Sequence, residues 1–152
     1  MRENDQMPGH LARRFQQIAV AIFHAEVEAC GCDLTPVQYA ALLAVDRYPG
    51  VDQITLAGLI AYDRTTITGV VDRLERKGLV TRAVGSDRRA REVRVTTEGK
   101  ETLDRIQPAV DAAQRVLLSG LSPDESDRLM ELLRKAIAAV NEFSRAPLRL
   151  QS

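Results

Sequence analysis

The sequence predicts a mainly α-helical chain carrying a small β wing, and three observations predict it. Apolar residues recur at helical spacing along most of the 152 residues. Between Ile54 and Thr96 two short helical patterns give way to two short strands. The turn between those strands carries Arg88, Arg89 and Arg91, three guanidinium groups in four positions. Helix, turn, helix, strand, turn, strand is the order of a winged helix-turn-helix, and long helical patterns flank it on both sides.

The first pattern runs from Gly9 to about Ala29, with Leu11, Phe15, Ile18, Ala19, Ile22 and Phe23 on one face. A loop, Cys30-Gly31-Cys32-Asp33-Leu34, leads to Thr35, placed as an N-cap, with Pro36 at the first helical position and Gln38 three residues after the cap. This is a capping box. The helix it opens, to about Tyr48, is apolar on several sides (Tyr39, Ala40, Leu42, Leu43, Val45), which predicts central burial before Pro49-Gly50 ends it. Thr55 to Ala61 reads as the first helix of the motif and Asp63 to Lys77 as the second, with a break at Ala61-Tyr62. Asp63 is placed so that its carboxylate accepts the free amide protons of the second helix.

Gly78 follows as a C-cap residue, Leu79-Val80 opens a strand, and Glu92-Val93-Arg94-Val95 alternates with a period of two. Thr96-Thr97-Glu98 starts a long helix carrying Leu103, Ile106, Val110, Ala113 and Leu117, which Pro108 is expected to kink or break near Gln107. Ser122 and Glu125 form a second capping box for a final helix to about Phe143, lined by Leu129, Leu132, Leu133, Ala136, Ile137 and Val140. The terminal helices display more apolar surface than one small winged domain can cover, which points to dimerisation. The expected organisation is an N-terminal dimerisation helix in residues 1–34, a DNA-binding region in 35–97 and C-terminal dimerisation helices in 98–152.

Composition fits an ordinary globular chain: 45% of residues are hydrophobic, enough for a core. No apolar run approaches the ~20 residues of a membrane span. Met1-Arg2-Glu3-Asn4-Asp5 lacks the apolar stretch of a signal peptide, so a cytoplasmic protein is expected. Cys30 and Cys32 lie too close together to staple the fold, and reduced thiols follow.

The charge is balanced overall, 21 Lys and Arg against 21 Asp and Glu. It is not balanced locally. From Arg64 to Arg94 nine basic residues face four acidic ones, an excess of five, leaving 12 basic and 17 acidic residues elsewhere. A positive segment of this kind suits DNA backbone. On the second helix Ile67, Val70, Val71 and Leu74 face inward, while Arg64, Thr65, Thr68, Gly69 and Asp72 face out with Arg73 toward the end. Short hydroxyl side chains and Gly69 allow a close approach to a groove floor, where Thr methyls meet thymine methyls.

These residues resemble the MarR (multiple antibiotic resistance regulator) family of bacterial transcription factors. The resemblance is carried by Leu56-Ala57, by Thr65-Thr66-Ile67-Thr68 with Val71-Asp72-Arg73-Leu74-Glu75-Arg76-Lys77-Gly78-Leu79-Val80, by Asp87-Arg88-Arg89-Ala90-Arg91, and by Thr96-Thr97-Glu98-Gly99. It implies a triangular homodimer binding a palindromic operator in double-stranded DNA, its recognition helices about 34 Å apart in successive major grooves. It further implies that Arg89 reaches the minor groove or its phosphates, that Asp87 holds that arginine, that Arg73 clamps a phosphate, and that Thr65, Thr66 and Thr68 face bases or phosphates. Arg64, Arg88 and Arg91 complete the expected DNA-binding set.

Such regulators are often repressors released by a small aromatic carboxylate bound where the dimerisation helices meet the winged lobe. The resemblance is to members controlling aromatic-compound degradation. His10, Arg14, Phe15, Gln17 and Ile18, with Gln38 and Tyr39, are the expected ligand-binding residues, since a guanidinium in an apolar pocket suits a flat acid. An enzyme is disfavoured: His10 and His24 are the only histidines, and no phosphate loop, His-Glu-x-x-His motif or nucleophile elbow is present. No cofactor and no metal are expected. The alternatives are a thiol sensor through Cys30 or Cys32, against which acidic Glu26, Glu28 and Asp33 would raise the thiol pKa, and a metal sensor using His24, Glu28 and the two cysteines.

Overall fold

The structure, a computed structural model, describes residues 3–84 and 91–149. Its α-helices and strands are α1 (Pro8–Ala29), α2 (Pro36–Arg47), β1 (Val51–Asp52), α3 (Gln53–Leu59), α4 (Arg64–Arg76), β2 (Val80–Val84), β3 (Arg91–Val95), α5 (Thr97–Leu117) and α6 (Pro123–Val140), with 3-10 turns at Glu3–Gln6 and Asn141–Phe143. The three strands form an antiparallel sheet in the order β1-β3-β2. β2 and β3 pair from Val80 with Val95 to Val84 with Arg91, and Val51 of β1 pairs with Val93. This is the mainly helical, winged architecture expected.

Both capping boxes form. The Gln38 amide donates to the Thr35 hydroxyl at 3.2 Å and the Thr35 amide to the Gln38 side chain at 3.3 Å. Ser122 and Glu125 repeat the arrangement at α6, with distances of 2.8 and 3.2 Å. Each such cap stabilises its helix by about 1 kcal/mol. α2 is central, with Ala41, Leu42 and Val45 fully buried against Leu56, Ile67, Val71 and Leu74 of the motif and Leu103 and Ile106 of α5. Phe23 and Val27 of α1 join the same core, so the head and the helix that precedes it are packed together.

Four details depart from expectation. The motif's first helix starts two residues earlier, at Gln53, because Asp52 caps it: the Thr55 amide donates to Asp52 Oδ1 at 2.8 Å and the Thr55 hydroxyl to Oδ2 at 2.7 Å. The two-residue β1 adds a third strand to the wing's sheet. Asp63 does precede α4, but its carboxylate bonds no helix amide; its backbone carbonyl takes the Thr66 and Ile67 amides instead, and the side chain lies 3.7 Å from Arg145. Finally, α5 is not broken at Pro108. Pro108 and Asp104 lie on the exposed face, where water can satisfy the carbonyl that loses its donor, while Ile106, Ala109 and Val110 hold the opposite face in the core.

Candidate nucleic-acid interface and helical seam

α4 holds the place of the reading helix in the winged motif. Its apolar face, Ile67, Val70, Val71 and Leu74, is at most 2% exposed. The outer face leaves Thr65, Thr68 and Arg73 exposed, as their spacing predicts, and Thr66 is exposed beside them. The turn before it is sharp: Ala61 sits at φ 56°, a left-handed conformation that costs a non-glycine residue about 1 kcal/mol. After it, Gly78 at φ 75° lets the chain reverse into β2, where an L side chain would be strained. Thr68 also accepts a long bond from Gln53 of α3 at 3.4 Å, so the two motif helices are linked on the outer face.

Arg82 on β2 is a residue whose role the sequence did not separate from the general positive charge. Its guanidinium lies 2.6 Å from Asp72 and 3.0 Å from Glu75 on α4, and it donates to Gln53 of α3 at 3.4 Å. The bond from Arg82 holds the Glu75 carboxyl below its ordinary range, and the two carboxylates hold Arg82 above its own. Arg82 therefore fastens the wing to the reading helix. Arg94 pairs with Glu92 at 3.4 Å, and Arg91 is exposed at the start of β3. Asp87, Arg88 and Arg89 lie outside the described residues, and of Arg64 the backbone alone, the first residue of α4, is described.

The expected ligand-binding residues divide among three places. Arg14, Phe15 and Ile18 line an apolar cavity of about 360 Å³ between α1 and α6, together with Leu11, Leu129 and Leu133. His10, Gln17, Arg13 and Arg14 lie together on an adjoining polar face of α1, so Arg14 borders both. The volume of the apolar cavity falls in the ~300–1,000 Å³ range of small-ligand sites. Gln38 is elsewhere: it is buried, holds the α2 cap and accepts from Lys77 Nζ at 3.3 Å. Tyr39 packs on Phe23 with ring centroids 5.9 Å apart and donates to Gln107 at 3.4 Å; burial and the Asp111 charge raise its phenol pKa. Leu129 and Leu133 of α6 form the facing wall; in the sequence they read only as helix lining, though their four-residue spacing puts them on one face.

At the end of α1 the amides of Cys30 and Cys32 and the Cys30 thiol all donate to the Val27 carbonyl. Desolvation and a bond with Cys32 raise the Cys30 pKa, the expected direction from a different cause than acidic neighbours. A raised pKa leaves less thiolate to react. Among the described residues no three His, Cys, Asp or Glu side chains gather where they would hold a metal ion. His24 instead meets Phe23 edge-on at 6.2 Å. No helix among them is long and apolar enough to cross a membrane.

A reading helix with an exposed hydroxyl face, clasped to a basic wing, defines a winged helix-turn-helix transcriptional regulator. Comparison with known proteins narrows that class. The chain belongs to the MarR family, whose model matches residues 33–90. It is 35% identical to the transcriptional regulator HosA of Escherichia coli over 104 residues, 68% of this chain and 77% of HosA. Among solved structures, that describing regulation of DNA binding of Bordetella bronchiseptica BpsR by 6-hydroxynicotinic acid aligns with a TM-score of 0.80 at 29% identity, covering 86% of this chain and 93% of BpsR. The transcriptional repressor CouR bound to a 23-mer DNA duplex aligns with a TM-score of 0.78 at 29% identity, covering 87% of this chain and 93% of CouR.

Proposed function

We propose that the protein is a homodimeric repressor that binds a palindromic operator and is released by a small aromatic carboxylate. The observation that carries the ligand is the cavity between α1 and α6: its walls are apolar and Arg14 borders it. A flat ring would fill the apolar volume while the guanidinium takes the carboxylate in a two-pronged bond. Regulation of DNA binding of BpsR by 6-hydroxynicotinic acid supports that chemistry by similarity.

Dimerisation is supported by α6, none of whose residues is buried in the single chain. Leu132, Ile137 and Val140 are 44%, 60% and 55% exposed, a row that water disfavours and a second copy would cover. On the DNA side, Thr65, Thr66 and Thr68 would meet bases or phosphates from α4, with Arg64 and Arg73 on the backbone. Asp87, Arg88, Arg89 and Arg91 would act from the wing. The test is DNA binding by the purified protein to the intergenic region beside its own gene, with and without a panel of aromatic carboxylates. Loss of the complex with one acid is expected. Binding that ignores every acid would overturn the effector, and no binding would overturn the operator.

A further inference from the structure

Residues 144–149 follow α6 without periodicity or motif, yet they fold back as a strap on the head. Three fastenings hold the strap. Asn141 grips Leu148 with both ends of its amide: the Leu148 N–H donates to Oδ1 at 2.8 Å, and Nδ2 donates to the Leu148 carbonyl at 3.0 Å. The Pro147 carbonyl lies so close to α3 that a Cβ on Gly58 would sit 2.8 Å from it. Arg145 Nη1 lies 3.7 Å from Asp63, the residue immediately before α4. Between strap and α3, Ile54, Thr55, Gly58 and Arg149 border a cleft of about 130 Å³.

The fastenings place a guanidinium at the start of the reading helix. Arg82, Arg94 and Arg149 each meet a carboxylate within 3.4 Å. Arg145 differs: its side chain is 88% exposed and its ion contact among the described residues, with Asp63, is long. An exposed pair of this geometry holds its partners weakly, so turning toward another anion sacrifices little. A reading helix enters the major groove with its N-terminal residues at the bases, and phosphates line the groove edge beside that end. Thr65 and Thr66, exposed on the first turn, mark that end here.

We propose that the strap is a further element of the DNA interface, in which Arg145 contacts a backbone phosphate beside the N-terminus of α4 and Gly58 and Asn141 position it. The proposal rests on α4 being the reading helix. A duplex selected from a random-sequence pool by the wild-type protein serves as the probe, and affinity is measured by fluorescence anisotropy across a salt series. Arg145→Ala is expected to make the dependence of log affinity on log salt shallower by about 0.9 per lost contact, roughly 1.8 for a dimer. Arg145→Lys keeps the charge and the slope. Gly58→Val and Asn141→Ala leave every cation in the chain and still lower the slope, because the strap undocks; thermal unfolding followed by circular dichroism verifies that the head is folded, with Gly58→Ala replacing Gly58→Val if it is not. An unchanged slope in Arg145→Ala overturns the contact, and a slope lowered there but not by the two undocking variants overturns the strap. Failure of the wild-type protein to enrich any duplex would instead sink the reading-helix assignment itself.

Discussion

Replacing Gly99 by alanine tests how tightly the wing is seated on α5. Gly99 is buried in the first turn of α5, and its amide donates to the Thr96 hydroxyl at 3.0 Å. A Cβ there would lie 2.2 Å from the Leu79 carbonyl oxygen and 2.7 Å from Val95 Cγ2. The carbonyl is held in place by the Thr96 amide at 3.0 Å, and the Thr96 hydroxyl bonds Gly78. Relief therefore requires backbone to part from backbone by about 1 Å, with the cap loosened, at a cost on the order of 2–3 kcal/mol. Alanine's better helix propensity returns less than about 1 kcal/mol. The clash wins, leaving a net loss of about 2 kcal/mol and, for a chain of this size, a fall in Tm of roughly 4–8 °C. Thermal unfolding followed by circular dichroism measures it; a Tm equal to or above that of the wild type would refute the reasoning.

Other perturbations follow from the same geometry. Burial would raise the Asp52 pKa, but its bonds from Thr55 outweigh that and hold it below the ordinary 3.8. A depressed carboxylate contributes stability that is present above its unfolded value and lost as pH falls through the folded one, so the contribution fades below about pH 3.8. Asp52→Ala should cost about 1 kcal/mol at pH 7 in urea unfolding and progressively less below that pH; a difference that ignores pH would exclude the cap. Ile137→Glu should leave helix content intact and convert dimer to monomer in light scattering, and an unchanged dimer would remove α6 from the interface. Arg14→Ala should blunt release by an aromatic acid at unaltered DNA affinity; a normal effector response would take Arg14 out of the site. Arg89→Ala should weaken operator binding strongly with the dimer intact, and unchanged affinity at fixed salt would end its assignment to the minor groove.

What could be read from the sequence was whatever depends on neighbours a few residues away. Thr35 with Gln38 and Ser122 with Glu125 are local pairs, and both form; the core face of α4 follows from its own period. β1 was not visible because two residues cannot display alternation, and its partner Val93 lies far along the chain. The Asp63 side chain departs from its local pattern for a related reason: its position suits a cap, and only the strap brings Arg145 to it. Pro108 breaks an isolated helix, but burial of Ile106 and Val110 on the far side sustains this one. Arg14, Phe15 and Ile18 share a helical face and do meet at one cavity, whereas Gln38 and Tyr39 answer to Lys77 and Gln107, partners no local pattern discloses.

The Arg82 clasp bears on how the proposed release from DNA would work. Because one guanidinium holds Asp72 and Glu75 of α4 and also reaches Gln53 of α3, the wing's first strand cannot swing independently of the reading helix. In the proposed dimer each head would then move as one jaw, and a ligand at the seam between α1 and α6 would act on the gap between two jaws. The double helix sets that gap at about 34 Å or a multiple of it. The proposed dimer would measure DNA as calipers do, and would let go when its span no longer matches the repeat.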